Sequence, residues 1–439
     1  MSFPRYTKYK DSGVEWLGEV PEHWAVKRLK HCARLVTAKA EERANPVALE
    51  NIEGWTGRLL PSEGDYQGEG TAFATGDILF GKLRPYLAKV HLSTQPGEAV
   101  GDFHVLRPDE GFDGHFAQYH MLTREFIDIV DGSTYGSKMP RASWEFVGGM
   151  PMAVPPPVEQ PAIAAFLDCE TAKIDALIVE QQRLIELLQE KRQAVISHAV
   201  TKGLNPDAPM KDSGIEWLGE VPEHWDVLPV KYLVASIEQG WSPQCDGFPV
   251  QDESEWGVLK VGCVNGGVFN PQENKSLPPE LSPIPKLGIA SGDLLVSRAN
   301  TRELVGSAAV ADRDYPRLLL CDKVYRLRLD AHRCSPTFLS LFLASRASRE
   351  PIELGATGAS ASMVNIGQSV ILNLITGVPP VAEQCAVVQH VADMLTRLNS
   401  LETEAHHAVS LLQERRSALI SAAVTGQIDV RGLAGSEAA

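Results

Sequence analysis

The chain has 439 residues and a formal net charge of −15 at pH 7, and hydrophobic residues make up 44% of it. This length and composition are typical of an ordinary globular protein with two to four domains. The acidic balance argues against strong non-specific attraction to DNA, although it leaves room for a local basic groove. Neither a signal peptide nor a membrane span is expected, because the sequence has no apolar run of the required kind. Seven cysteines without a CxxC pair indicate reduced thiols, so we expect a cytoplasmic protein.

The first element along the chain is the segment from Lys10 to Trp24, which we call the first clamp. It returns 201 positions later as the second clamp, Lys211 to Trp225, with Val14 replaced by Ile215 as the single change. A near-identical copy at this distance indicates duplication of a domain-sized unit, because solenoid repeats are far shorter. The residue types, with two tryptophans and a proline but no obvious nucleophile, favour a structural role for the clamp.

The first clamp, within residues 1–24, is followed by residues 25–153, which predict a mixed α/β domain. Short β-type runs such as Asp77 to Phe80 are bounded by Gly and Pro, and apolar spacing predicts one helix from His115 to Val130. A proline-rich breaker then opens a long helical segment, residues 154–202. Its apolar residues alternate at three- and four-residue spacing, which predicts a coiled-coil seam about 60 Å long. The seam comprises Ile163, Leu167, Ile174, Leu177, Leu184, Leu188 and Val195.

The second half of the chain repeats this plan. Residues 203–225 hold a linker and the second clamp, residues 226–377 a second mixed domain, and residues 378–428 a second long helix. The tail, residues 429–439, is predicted to be disordered. The fold class we predict is α+β, with two mixed α/β domains separated by two long antiparallel helices that form a coiled coil. The duplication makes the two halves pseudo-two-fold related.

Motifs for catalysis or metal binding are missing from the sequence. It contains no GxxxxGK[ST] phosphate loop, no GxGxxG after a strand, no Gly-x-Ser-x-Gly elbow and no histidine pair at metal-ligand spacing. The tripeptide Glu273-Asn274-Lys275, with Asp252 upstream, has the look of half a nuclease motif but falls in a proline-rich loop. We therefore predict a chain without catalytic residues and without a metal site.

Taken together, the twin clamps, the two proline-led Glu-Gln helix starts and the two long helices resemble the specificity (S) subunits of type I restriction-modification enzymes. The resemblance covers residues 8–428 and depends on the combination, because each motif alone is weak. It implies two target-recognition domains, each reading one half of a bipartite, asymmetric site on double-stranded DNA. It also implies two modification subunits that methylate adenine with S-adenosylmethionine, and restriction subunits that use ATP and Mg²⁺. This chain itself would carry no cofactor.

Candidate DNA-contacting loops occur at two places in each domain. One loop follows the β-type run that begins with Gly76-Asp77 or Gly292-Asp293, and the other precedes the proline-rich breaker before each long helix. Arg and Lys suit guanine edges and phosphates, Asn and Gln suit adenine, and small residues allow close approach of the backbone to phosphate. In the first domain these loops, 81–86 and 132–141, supply Lys82, Arg84, Tyr86, Tyr135, Lys138 and Arg141. In the second domain the loops 297–302 and 355–365 supply Arg298, Asn300, Arg302, Ser360 and Asn365. The alternative for each loop is an ordinary solvated turn.

Candidate contacts with partner subunits lie elsewhere. Aromatic residues are favoured at interfaces, so the clamp tryptophans are candidates, with packing inside their own unit as the alternative. The charged helix ends are candidates too, with a solvated coiled-coil flank as the alternative. These candidates are Trp16, Trp24, Trp217, Trp225, Arg192 and Arg416. The alternative function from another class is a protein-binding scaffold or regulator with two divergent interaction domains, which the acidic balance favours.

Overall fold

The structure is a computed structural model that describes residues 3–40, 45–61, 70–360 and 363–433, apart from the side chains of residues 359 and 360. The chain divides into two units. Unit 1 comprises residues 1–182 and 406–439, and unit 2 comprises residues 183–405. Both boundaries fall inside the long helices, so each unit contains a part of both.

Unit 1 contains a clamp hairpin, a four-stranded sheet, a three-stranded sheet and short helices. The strands are β1 (Tyr9–Asp11), β2 (Glu19–Pro21), β3 (Ala25–Arg28), β4 (Ala33–Val36), β5 (Pro46–Val47), β6 (Thr71–Phe73), β7 (Ile78–Gly81), β8 (Val90–Leu92), β9 (Gly97–Ala99), β10 (Phe103–Pro108) and β11 (Pro151–Val154). The helices are α1 (Gly114–Met121), α2 (Arg124–Gly132), α3 (Trp144–Gly149) and the start of α4 (Gln160–Lys202). The sheets are β1-β2, β3-β11, β4-β10-β7-β8 and β5-β9-β6.

The central strand β7 of unit 1 is buried on both faces, which explains its unbroken apolar sequence. Successive side chains of a strand point to opposite faces of the sheet. Ile78 and Phe80 pack into the main core with α1, α2 and the long helices, whereas Leu79 joins Val105 in a smaller core on the other face. The four-stranded sheet is therefore a middle layer that fixes where the loop after β7 leaves the domain.

Unit 2 repeats this plan, with four strands in its second sheet where unit 1 has three, and has a further three-stranded sheet. Its strands are β12 (Met210–Asp212), β13 (Glu220–Pro222), β14 (Asp226–Pro229), β15 (Val234–Gln239), β16 (Gly257–Leu259), β17 (Asn274–Ser276), β18 (Gly288–Ile289), β19 (Leu294–Ser297), β20 (Ala299–Asn300), β21 (Ala308–Val310), β22 (Tyr315–Leu319), β23 (Val324–Leu329), β24 (Thr357–Ser360), β25 (Met363–Asn365) and β26 (Ile375–Val378). Its helices are α5 (Pro336–Ala344), α6 (Arg346–Leu354), α7 (Gln368–Leu372) and the start of α8 (Val381–Val424). The sheets are β12-β13, β14-β26, β15-β23-β19-β21, β17-β16-β22-β18 and β20-β25-β24.

The main sheets of the two units correspond strand by strand. The order β4-β10-β7-β8 in unit 1 matches β15-β23-β19-β21 in unit 2, and β3-β11 matches β14-β26. Strand β19 also alternates between two cores, with Leu294 and Val296 on one face and Leu295 on the other. The smaller sheets also correspond, because β5-β9-β6 matches β16-β22-β18, each with one parallel and one antiparallel pair, and β17 is the extra strand of unit 2. The duplicated sequence ends thus support a duplicated framework.

The long helices pack against each other in antiparallel orientation within each unit. In unit 1, Asp175 of α4 accepts a hydrogen bond of 2.9 Å from Arg416 of α8. In unit 2, Gln189 of α4 donates to Glu402 of α8 over 3.1 Å. Residue numbers rise along α4 as those of the facing residues fall along α8, so the predicted α+β fold class with two antiparallel helices is confirmed. The predicted seam is only partly buried, however, because Leu177 and Leu184 are exposed.

The single helix predicted from His115 to Val130 is wrong, since two helices, α1 and α2, occupy this stretch. Thr123 adopts an extended conformation at the amino-terminal end of α2, and its hydroxyl donates to the carbonyl of His120 over 2.9 Å. A threonine that bonds the backbone in this way competes with helix continuation. The apolar spacing runs through the break because Phe116 and Phe126, from the two helices, pack into the same core.

The start of the predicted disordered tail is also corrected, because residues 429–433 pack onto unit 1. The amide of Asp429 donates to the carbonyl of Pro4 over 2.8 Å, and Val430 is fully buried in the core. Tyr9 donates to the carbonyl of Gly426 over 3.0 Å, which ties the first clamp to the end of α8. The remainder of that prediction, residues 434–439, lies outside the described residues.

Candidate nucleic-acid interface

Each clamp is attached to the start of a long helix through the glutamate of the Glu-Gln motif. In unit 1 the carboxylate of Glu159 lies 2.8 Å from Nε2 of His23, and it accepts from the indole of Trp24 over 3.2 Å. It also accepts from the hydroxyl of Tyr6 over 3.1 Å. Burial and this carboxylate raise the pKa of Tyr6 far above its ordinary value. The two motifs that the sequence repeats therefore meet at one buried carboxylate.

Unit 2 builds the same attachment with one donor fewer. The carboxylate of Glu383 lies 2.7 Å from Nε2 of His224 and accepts from the indole of Trp225 over 3.1 Å. The position that corresponds to Tyr6 is Asp207, which follows from the 201-residue shift of the clamp. Glu383 is also more exposed to solvent than Glu159, with 29% against 10% of its side chain accessible.

The glutamine of each motif positions the next helix of its domain. Gln160 accepts from the amide of Asp113 over 2.6 Å, at the start of α1, and donates to the carbonyl of Gly111 over 3.1 Å. Gln384 accepts from the amide of Ser335 over 2.7 Å, at the start of α5. Because the same amide group satisfies backbone atoms in both units, the long helix fixes the orientation of each variable domain.

In unit 1 the two predicted loops form one continuous surface. The amide of Arg84 donates to the carbonyl of Pro140 over 2.8 Å, and the amide of Ala142 donates to the carbonyl of Lys82 over 2.9 Å. Tyr135 and Arg141 exchange two backbone hydrogen bonds of 3.2 and 3.1 Å. Since loops 81–86 and 132–141 are joined by backbone bonds, their side chains project from one rigid patch.

Asp102 neutralises two of the predicted DNA-binding cations of this surface. Its carboxylate accepts from Nε and a terminal nitrogen of Arg141 over 3.0 and 2.9 Å, and Nζ of Lys82 lies 3.8 Å away. The hydrogen bond from Arg141 lowers the pKa of Asp102 below its ordinary value, so the carboxylate is ionised at neutral pH. A bidentate pair of this kind fixes the side chain of Arg141. The sequence did not point to Asp102, which stands in the turn between β9 and β10.

The other predicted residues of this surface are exposed. Arg84 has a left-handed conformation with φ of 51° and an exposed side chain. Within the described part of the chain, neither Arg84 nor Lys138 forms an ion pair, so both cations are available for phosphate. Tyr86 and Tyr135 are also exposed.

In unit 2 the predicted loops also meet, through a small sheet. Strand β20 pairs with β25, with Ala299 opposite Asn365, and the amide of Ile366 donates to the carbonyl of Arg298 over 2.9 Å. This bond corresponds to the one between Ala142 and Lys82 in unit 1. Arg302 is exposed, and one of its nitrogens lies 3.4 Å from the carbonyl of Glu353. Ser360 ends β24, and its side chain, like residues 361–362, lies outside the described residues.

The prediction that Asn300 reads a base is contradicted, because this side chain is buried inside unit 2. Its amide nitrogen donates to Asn265 over 3.1 Å, and its oxygen accepts from the amide of Thr301 over 2.9 Å. Both hydrogen-bonding ends are thus used within the protein. Arg298 is half-buried and donates to the carbonyl of Asp322 over 3.3 Å. Asn365 is half-buried in β25, which leaves Arg302 as the exposed cation among these five predicted residues.

Several predicted partner contacts are also corrected by burial. Trp24 and Trp225 are fully buried within their own units, so the alternative interpretation describes them. Arg416 is largely buried, bonded to Asp175 and over 3.1 Å to the carbonyl of Trp55, so it secures α8 to unit 1. The remaining candidates are Trp16 and Trp217, which are partly exposed at the edge of their cores, and Arg192, which lies 3.9 Å from Glu402.

The half-motif noted around Glu273 to Lys275 has a structural role. Asn274 is buried in β17, where its side-chain oxygen accepts from the amide of Val250 over 2.9 Å and its nitrogen donates to the carbonyl of Pro271 over 2.8 Å. Among the described residues, His, Cys, Asp and Glu form no group of three that could hold a metal ion. No helix of the described chain has the length and apolar character needed to cross a membrane.

Comparison with curated proteins finds relatives that share one description. The chain is 27% identical over 241 residues to the type I restriction enzyme EcoEI specificity subunit of Escherichia coli, covering 55% of this chain and 40% of that one. It is 23% identical over 332 residues to the EcoKI specificity subunit of E. coli strain K12, and 26% identical over 312 residues to the MjaVIII specificity subunit of Methanocaldococcus jannaschii. These alignments cover 74% and 70% of this chain and 68% of each relative. All of these relatives are type I restriction enzyme specificity subunits, and this chain is similar to them over most of its length.

Solved structures show the same fold as this chain. A chain from a study of complex assembly and conformational transition of a type I R-M system matches with a TM-score of 0.71 at 17% identity, covering 93% of this chain and 99% of that one. The HsdS subunit of Thermoanaerobacter tengcongensis matches with a TM-score of 0.53 at 17% identity, covering 93% and 98%. No protein-family model matches the chain.

Proposed function

We propose that this chain is the DNA sequence-recognition subunit of a type I restriction-modification complex and contributes no catalytic residue itself. The observation that carries the proposal is the duplicated framework, in which the same Glu-Gln and His-Trp contacts hold two divergent domains. Each framework presents a pair of backbone-bonded loops. Two such surfaces suit a bipartite, asymmetric DNA site, in which each domain reads one half and the gap is unread.

The long helices provide the spacing in this proposal. Half-sites read from one face of B-DNA lie about one helical turn apart, or about 34–36 Å. A helix of 43 residues, α4, extends over about 65 Å at 1.5 Å per residue. Ion pairs join the two antiparallel helices at Arg416 with Asp175 and at Arg192 with Glu402, which supports their role as a ruler.

Exposed apolar residues of the long helices support docking of modification subunits. In unit 1, Leu177, Val179 and Leu411 are exposed, and in unit 2, Leu184, Leu187 and Leu401 are exposed. Exposed apolar patches mark interaction sites in soluble proteins, and these residues are the candidates for such a patch on the helix pair. Because each unit carries three such residues on the same helix pair, two copies of one modification subunit are the partners we propose. Restriction subunits would join through these.

In this proposal the partner subunits carry out the catalytic steps. S-adenosylmethionine would be held by the modification subunits, and ATP with Mg²⁺ by the restriction subunits. This chain would bind DNA and assemble the complex.

A protein-binding scaffold remains the second candidate, favoured by the net charge of −15 and by the neutralised cations at Asp102. Salt dependence separates the two functions. Binding of DNA through several phosphate contacts predicts an affinity that falls steeply with salt, with a slope of about −0.9 per phosphate contact.

The proposal is tested by mapping methylated adenines in a host genome with and without the gene for this chain, in the presence of the modification subunit. We expect a bipartite motif that disappears with the gene. Loss of the gene without any change in methylation would contradict the proposal.

A further inference from the structure

The surface formed by loops 81–86 and 132–141 exposes three large side chains that are mainly apolar. Tyr135 is 63% exposed, Met139 48% and Tyr86 47%. Within the described residues, neither tyrosine ring stacks on another aromatic ring or lies beneath a cation. The tyrosine rings and the methionine thioether are apolar, so this surface is suited to an apolar partner group.

The backbone beneath these side chains is held on several sides. The turn from Pro85 to Leu87 lies between two left-handed residues, Arg84 and Ala88, with φ of 51° and 47°. The carbonyl of Ala88 accepts from the amide of Trp55 over 3.0 Å, and the amide of Tyr86 donates to Asp131 over 3.3 Å. Non-glycine residues persist in this conformation only when the surroundings fix them, and they concentrate at binding sites. The backbone that carries Tyr86 is therefore preorganised.

The cations beside the patch pair with a carboxylate or suit phosphate contacts. Asp102 accepts from Nε and one terminal nitrogen of Arg141, and Nζ of Lys82 lies 3.8 Å from the same carboxylate. This pair fixes the orientation of the Arg141 guanidinium but does not use all of its five N–H donors. The remaining exposed cations, Arg84 and Lys138, suit phosphate contacts. The exposed apolar side chains of unit 1 add a means of discriminating between bases that these cations do not supply.

We infer that Tyr86, Tyr135 and Met139 recognise thymine through its 5-methyl group. In the major groove this methyl is the apolar group that base edges present, and it distinguishes thymine from cytosine and from uracil. The inference rests on the proposed function, since it specifies which base feature unit 1 reads. Burial of one methyl group corresponds to about a fourfold change in affinity.

The experiment uses the complex of this chain with its modification subunits and duplexes carrying the methylated motif. Each thymine of the half-site read by unit 1 is replaced in turn by deoxyuridine, which lacks the methyl. We expect affinity to fall about fourfold at one or more positions. Tyr135→Ala should bind the thymine duplex more weakly and abolish the difference between thymine and deoxyuridine, whereas Tyr135→Phe should retain the difference.

Tyr232→Ala is the matched control, because Tyr232 is an exposed tyrosine of unit 2 outside the predicted loops. It should leave both affinities unchanged. Equal binding of thymine and deoxyuridine duplexes at every position, with preference for the motif intact, would overturn the inference alone. Absence of preference for the motif over a scrambled duplex would refute the proposed function and, with it, the inference.

Discussion

Glu159 is the residue at which the repeated motifs of unit 1 converge. It is buried and accepts from Tyr6 and Trp24 while contacting His23. Glu383 has the same role in unit 2 but lacks the tyrosine, so the two glutamates form a natural comparison. The cost of removing a buried acceptor depends on how many donors it leaves without a partner.

Glu159→Gln should destabilise unit 1 by about 2–3 kcal/mol, because the new amide group cannot accept from all the donors. Glu383→Gln, the control, should have a smaller effect on unit 2. Hydrogen exchange resolved by peptide measures each unit separately, which is necessary because a chain of several domains need not unfold in one step. An equal effect of both substitutions would contradict the role assigned to Tyr6.

His120 should make the stability of unit 1 depend on pH. It is fully buried, its Nε2 accepts from the amide of Ala153 over 3.2 Å, and burial lowers its pKa from 6.5 to about 4. A lowered folded-state pKa contributes stability that is present above pH 6.5 and lost as the pH falls towards 4. Between these values the free energy of unfolding should fall by about 1.4 kcal/mol per pH unit.

The measurement for His120 is unit 1 stability as a function of pH, compared with His120→Gln, which does not titrate but can accept the same hydrogen bond. The difference between the two proteins should carry the predicted slope. A difference that is constant from pH 7 to pH 4 would exclude His120 as the titrating group.

At the level of residues, the sequence predicted loops but not the roles of side chains within them. Loops 81–86 and 132–141 are far apart in the sequence. They form one surface through backbone hydrogen bonds, such as that from the amide of Arg84 to the carbonyl of Pro140. Asn300 carries a suitable base-reading group, yet tertiary packing buries it. No local pattern distinguishes an amide that faces solvent from one that faces Asn265.

At the level of elements, periodicity predicted the long helices well because each repeats the same spacing over many turns. The shorter elements were less predictable. The break at Thr123 carries no glycine or proline, and the apolar spacing continues through it because both helices pack on one core. The buried Asp77 was part of a recognised Gly-Asp pair, but its bidentate partner Arg107 lies thirty residues away and has no local signal.

The helix pair should act as a ruler between the half-sites. A four-residue insertion after Gln181 in α4, matched by one after Ser410 in α8, adds one turn while preserving the antiparallel pairing. The added length is about 6 Å, so the unread gap should change by about one to two base pairs. The measurement is the methylated motif in the host genome. Methylation with an unchanged gap would contradict the proposal that the helices set the spacing. The control is a substitution of four residues at the same place, which leaves the helix length unchanged.

At the level of the whole molecule, the duplication carries the functional argument. The clamps and helix starts keep nearly the same residues, and the structure shows why, since Glu159 with Trp24 and Glu383 with Trp225 are the same contact. The loops have no such constraint and have diverged. This contrast could be predicted from sequence because it depends on comparing two copies. The bases that each surface reads could not, because irregular loops do not map to bases without geometry.

The most direct test of the account is an exchange of residues 25–150 for those of another specificity subunit, followed by methylome sequencing. The partners of Glu159, namely Tyr6, His23 and Trp24, lie outside the exchanged segment, so the attachment of the clamp to the long helix should persist. We predict that one half of the methylated motif changes while the other half and the gap stay the same. A change in both halves, or in neither, would contradict the claim that each divergent domain reads its own half-site.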